Sequence, residues 1–170
     1  MAILEIIKYP AKVLETPTES VTEFNDELKK LVADMFETMY HAPGVGLAAP
    51  QVGISKRVFV MDCSGGKDPK QKTAMINPQI VSTGGEQTDE EGCLSFPGIY
   101  FQVTRALQAV VRAQDTDGKE FEIDGTELVA RCMLHENDHL NGVLFLERTT
   151  VLKREMAKRR IKKLIKAGDW

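Results

Sequence analysis

Along the chain the pattern of polar and apolar positions changes character several times. Residues 1–24 mix short apolar runs with Pro10 and Pro17 and predict an irregular arm. From Asn25, residues Leu28, Leu31, Val32, Met35, Phe36, Met39 and Tyr40 fall at helical spacing, one apolar stripe with lysines and acids opposite. Asn25 or Asp26 can cap this helix, and Ala42-Pro43-Gly44 stops it. The middle of the chain is strand-like: residues 57–62, 74–82, 100–104 and 106–115 are short, rich in β-branched or aromatic side chains, and separated by Gly, Pro and polar clusters. Asp117-Gly118, inside 115–123, predicts a hairpin turn. A second helix is predicted from about Asp124 or Thr126 to Leu140, ending at Asn141-Gly142. A third begins near Lys153 and runs almost to the end. A helix, several strands and then helices predict an α+β fold rather than alternating βαβ units.

Composition narrows this picture. A chain of 170 residues without repeats, low-complexity tracts or a long linker predicts one domain spanning 1–170 with a buried core. The net charge of −3 argues against a general nucleic-acid binder and against a specific DNA partner. No N-terminal stretch has the charged start, apolar middle and small-residue cleavage site of a signal peptide, and the apolar runs are too short to span a bilayer. Three cysteines, Cys63, Cys93 and Cys132, cannot pair completely, which points to a reducing cytoplasm.

The chemistry concentrates in Leu134-His135-Glu136-Asn137-Asp138-His139. His135 and His139 are four apart on the second predicted helix, so both imidazoles leave one face about a turn apart. Glu136 stands beside them, where its carboxylate can take a proton from water activated by a divalent ion without binding that ion itself. The alternative for such a pair is two solvated or core histidines. A hydrolytic metal site needs a third protein ligand and an open position. His41 ends the first helix and reads as a polar residue near a turn. Cys132 reads as a small buried hydrophobe, and Cys63 as a loop thiol. Cys93, between Gly92 and Pro97 in a shaped loop, can supply a thiolate, a strong ligand for divalent transition metals.

Gly44-Val45-Gly46-Leu47-Ala48-Ala49-Pro50-Gln51, Glu91-Gly92-Cys93-Leu94-Ser95-Phe96-Pro97-Gly98 and Leu134 to His139 together resemble the three ordered motifs of peptide deformylases. The resemblance covers nearly the whole chain. It implies an α+β fold of mixed, mainly antiparallel sheets around a central helix carrying H-E-x-x-H, flanked by N- and C-terminal helices. It implies removal of the N-formyl group from formyl-methionine at the start of nascent polypeptides, releasing formate. It implies one Fe²⁺ per chain, replaceable by Zn²⁺, Ni²⁺ or Co²⁺, held by Cys93, His135 and His139, with Glu136 as general base and acid. Gln51, through its side-chain amide, and Leu94, through its backbone N–H, match the donors to the formyl oxygen. Substrate contacts are implied for Gly44, Val45, Gly46, Glu91, Gly92, Tyr100 and Leu128, the first three as a backbone edge for an extended peptide. Val45, Leu128 and His135 are expected to receive the methionine side chain.

Two positions depart from the family pattern. Leu134 replaces a glutamine common before the first metal histidine, which we read as packing. Tyr100 stands where some members place a substrate-contacting arginine, so contacts at the substrate's edge are altered. Arg105 and Asp138 match family positions and are expected to pair and orient the ligands. The tail from Lys153 to Gly168 is basic against an acidic chain. It is expected to pack Met156, Ile161, Leu164 and Ile165 while its charged face, over about 153–167, contacts ribosomal RNA. Two other functions compete. One is a metallopeptidase cleaving internal bonds, for which no extended H-E-x-x-H ligand motif is present. The other is a non-catalytic domain stapled by a closed four-ligand metal site.

Overall fold

The computed structural model describes residues 1–170. The helical stripe forms α1 (Asp26–His41), its start capped by Asn25, whose side-chain oxygen accepts from the Leu28 N–H at 3.1 Å. Next come strands β1 (Gly46–Ala48), β2 (Val58–Met61), β3 (Thr73–Gly84), β4 (Gln87–Gly92), β5 (Tyr100–Arg105), β6 (Gln108–Gln114) and β7 (Glu120–Thr126), then helices α2 (Leu128–Leu140) and α3 (Val151–Ala167). The fold is α+β. A five-stranded sheet runs in the order β1-β2-β3-β6-β7, a two-stranded sheet pairs β4 with β5, and all these pairings are antiparallel. No helix is long and apolar enough to cross a membrane.

Strand β2 shows how the layers form. All four of its residues are buried, because alternate side chains leave opposite faces and each face meets a helix. Val58 and Val60 join Leu28, Val32, Met35 and Met39 of α1, while Phe59 and Met61 join Ala130, Met133 and Leu140 of α2. A third apolar cluster ties the small sheet to α3 through Phe101, Val103, Phe145 and Ile161.

Several expectations change. Residues 124–126 belong to β7, with Asp124 opposite Val110 and Thr126 opposite Gln108, so α2 starts at Leu128. The break falls at Glu127, whose φ of 54° ends the strand. Gly125 lets the helix fold back on that strand, since a Cβ there would lie 2.6 Å from Val129 Cγ1. Helix α3 starts at Val151 because Thr150 caps it, its hydroxyl accepting from the Lys153 N–H at 3.2 Å. Its packed face is narrower than the periodicity suggests: Ala157 and Ile161 are buried, Leu164 is half-buried, and Met156 and Ile165 are exposed. β1 and β4 were not anticipated at all. The N-terminal arm is irregular apart from a 3-10 turn at Lys12–Glu15, and it is tightly held: Ile7 N–H donates to the Gln51 carbonyl at 2.7 Å and Tyr9 N–H to the Ser95 carbonyl at 3.0 Å.

Candidate active site

Three segments converge on one cleft. β1 leads into a short 3-10 turn, Ala49–Val52, that delivers Gln51. The loop after β4 delivers Cys93 and Leu94, and α2 delivers His135, Glu136 and His139. The arm clamps the first two segments through the bonds to Gln51 and Ser95. Within the turn, the Ala48 N–H donates to Gln51 Oε1 at 3.0 Å. That leaves the Gln51 amide nitrogen turned the other way, donating to Ser95 Oγ at 3.1 Å and reaching Cys93 Sγ at 3.5 Å. The Leu94 N–H donates to no acceptor of the chain.

Cys93 Sγ lies 3.3 Å from His139 Nε2, which lies 3.2 Å from His135 Nε2. One donor atom from each residue falls within 4.8 Å of the others. Both histidines are buried. Burial and the neighbouring His135 hold His139 well below the ordinary imidazole range, so its ring is neutral. Burial opposes charge on His135 too, but Cys93 and Glu91 outweigh it and raise its pKa well above the ordinary value. Glu136 is buried, one of its oxygens has no partner, and burial lifts its pKa to about 7. Its carboxylate lies 4.0 Å from His135 Nε2. Gly46 makes this approach possible: a Cβ there would sit 2.8 Å from Glu136 Oε1 and 2.9 Å from Cys132 Sγ.

Behind the histidines lies a charged layer. Glu91 accepts from His135 Nδ1 at 2.6 Å, from both Nε and Nη2 of Arg105 at 2.7 Å, and from Arg131 Nη1 at 2.9 Å. Burial would raise the Glu91 pKa, but Arg105 and His135 outweigh it and hold the carboxyl well below its ordinary range. Arg105 also donates to Asp138 Oδ2 at 3.0 Å, so the expected pair is present. Arg148 donates to both oxygens of Asp138, at 2.8 and 3.0 Å. Donation from His135 Nδ1 to the Glu91 carboxylate fixes the orientation of His135 and leaves Nε2 facing the cleft.

The cleft opens into a cavity of 620 Å³. Gly44, Val45, Gly46, Gly92, Leu94, Tyr100 and Leu128 all line it. Glu91 lines the cavity too, while its side chain is held by His135, Arg105 and Arg131 and only 6% of the residue is exposed. His41 is exposed at the end of α1, away from the donors. Cys132 is buried in the apolar cluster and its thiol points to the Val45 carbonyl at 3.6 Å. Arg131 and Arg148 have no local pattern in the sequence that separates them from surface residues; Ser95 lies in the motif around Cys93, but nothing local marks its contact with Gln51.

The family model described as polypeptide deformylase matches residues 3–155. A peptide deformylase of Acidobacterium capsulatum is 55% identical over 170 residues, covering 100% of both chains. Peptide deformylase 1 of Bacillus anthracis is 53% identical, covering 88% of this chain and 94% of its own. The crystal structure of a peptide deformylase from Legionella pneumophila superposes with a TM-score of 0.92 at 47% identity, covering 98% of each chain. The fold and the sequence together define a metal-dependent hydrolase of formylated peptides. The chain belongs to the polypeptide deformylase family.

Proposed function

We propose that Cys93, His135 and His139 hold the divalent ion of this deformylase, and that Glu136, Gln51 and the Leu94 N–H carry out formyl hydrolysis around it. The observation that carries the reading is the triangle of donors. Metal–nitrogen and metal–sulfur bonds of about 2.0–2.3 Å in a tetrahedron set ligand atoms about 3.4 Å apart, against the 3.2 and 3.3 Å spacings here. Fe²⁺ is the proposed native ion, with Zn²⁺, Ni²⁺ or Co²⁺ able to replace it; the mixed thiolate and imidazole set suits all four.

When bound, the ion supplies Lewis acidity and lowers the pKa of water. Glu136 takes the proton of the attacking water and returns it to the departing amine, a task suited to a carboxyl raised to about 7. The Gln51 side-chain amide, on releasing its contact to Ser95 or Cys93, and the unpaired Leu94 N–H stabilise the charge that grows on the formyl oxygen. The edge at Gly44–Gly46 pairs with the peptide main chain, which explains how one site accepts many sequences. Val45, Leu128 and His135 enclose the methionine side chain, and Gly92 and Tyr100 bound the peptide opposite. Arg105 and Asp138 hold the ligands through Glu91 and the helix.

On this reading residues 1–170 act as one domain, with α2 as its central helix, working in the cytoplasm. The basic face of α3 contacts the ribosome. Deleting 153–170 is then expected to spare activity on short peptides and reduce co-sedimentation with ribosomes; co-sedimentation at low salt that survives deletion would end this part of the proposal. The reading as a whole is tested by assaying one metal-loaded sample on formyl-Met, acetyl-Met and unblocked peptides. Formate from the first and no cleavage of the others is expected. Cleavage of internal bonds would instead favour a metallopeptidase.

A further inference from the structure

The catalytic cavity continues past its rim. Glu90, Gly98 and Tyr100 line both that cavity and a second one of 590 Å³ between β5 and α3. The α3 side of the second cavity presents Lys153, Met156 and Arg160. Tyr100 is 62% and Met156 59% exposed, so the groove offers an aromatic ring and a thioether that the fold leaves uncovered. Neither Lys153 nor Arg160 pairs with a carboxylate of the chain. The one acid on the lining is Glu90.

Resting on the deformylase reading, we propose that this groove holds the downstream part of the substrate itself. The nascent chain leaves the catalytic cleft between Gly98 and Tyr100, lays an apolar side chain against Tyr100 and Met156, and sets acidic side chains beside Lys153 and Arg160. Continuity argues for this occupant: a peptide whose formyl group lies at the donors is already tethered beside the groove, and entering it costs little further loss of freedom. Charge selects the kind of sequence, since two free cations against one acid favour an acidic segment over a basic one. An exposed pair of this sort changes affinity by about two- to fivefold. The groove touches no reacting atom, so its effect falls on KM rather than kcat. Tyr100 thereby gains a role of its own at a position where some family members carry arginine. An uncharged ring leaves the approach to α3 apolar and gives the sorting of charge to Lys153 and Arg160.

The test uses the metal-loaded enzyme at low ionic strength and measures formate release. The substrates are formyl-Met-Ala-Ser and the same peptide extended by a run of glutamates, serines or lysines. The glutamate extension is expected to give a KM roughly two- to tenfold below that of the lysine extension, at equal kcat. The difference is expected to fade as salt shortens the screening length. In a Lys153→Glu, Arg160→Glu variant, altered only at exposed positions, the order is expected to reverse while turnover of the short peptide is unchanged. Equal KM values for the three extensions, or an unchanged order in the variant, would overturn the proposal. Absence of formate even from the short peptide would instead overturn the deformylase reading on which it rests.

Discussion

On one side of α2, Ala130, Met133 and Leu140 meet Phe59, Met75 and Val111 across an apolar contact. On another side, Arg131, His135 and Asp138 meet Glu91 and Arg105 through charged hydrogen bonds. Both sides are buried, yet they specify the helix differently. The apolar contact is non-directional and depends on volume. The charged contact depends on every partner being present, because a buried ion left alone is costly. The first holds the helix against the sheet; the second sets the rotation of His135 to within a hydrogen bond.

The largest difference between the two sides should appear on removing the shared acceptor. Glu91→Gln leaves Arg131 without its carboxylate and weakens the hold on His135. It is expected to cost about 3–5 kcal/mol of stability, measured by denaturant unfolding, and about 10–100-fold in metal affinity, measured by chelator competition. The same residue sets a pH limb. Its folded pKa is depressed, so its contribution is fully present above the unfolded value of about 4.5 and lost as pH falls below it. The wild-type protein should lose stability more steeply than the variant as pH falls below about 4.5. Parallel acid limbs would show that the charged side does not behave as described.

On the apolar side, Met133→Ala is expected to cost about 2–5 kcal/mol while leaving metal affinity unchanged. Met133→Leu, which conserves volume, should cost less than about 1.5 kcal/mol. A large loss of metal affinity in either would mean that the two sides are not separable. The smallest effect is expected at the rim of the charged layer. Arg148 is half exposed where it grips Asp138, and Arg148→Ala should cost less than about 1 kcal/mol.

The same contrast explains what was legible in the sequence. Helix α1 announces itself because its buried residues are apolar and recur at helical spacing. The hairpin at Asp117-Gly118 is carried by local turn chemistry, and His135, Glu136 and His139 by local helical spacing. β4 was invisible: Gln-Thr-Asp-Glu-Glu-Gly has no apolar alternation, and its one buried residue is the charged Glu91. Arg131 and Arg148 look like surface residues until a carboxylate forty or ten residues away in sequence is brought to them. Cys93 was reachable from the chemistry of its loop and from resemblance. The layer that orients its histidine partner was not, because those contacts are long-range and polar. Met156 and Ile165 misled in the opposite sense: helical periodicity marks a face as apolar without saying that anything covers it.

In the proposed mechanism Glu136 moves the proton while Cys93, His135 and His139 hold the metal. It is tested most directly by purifying the wild-type protein and Glu136→Gln anaerobically and measuring metal content and formate release on the same samples. Equal metal in both and formate from the wild-type protein alone are expected. Formate release by Glu136→Gln at near the wild-type rate would contradict it.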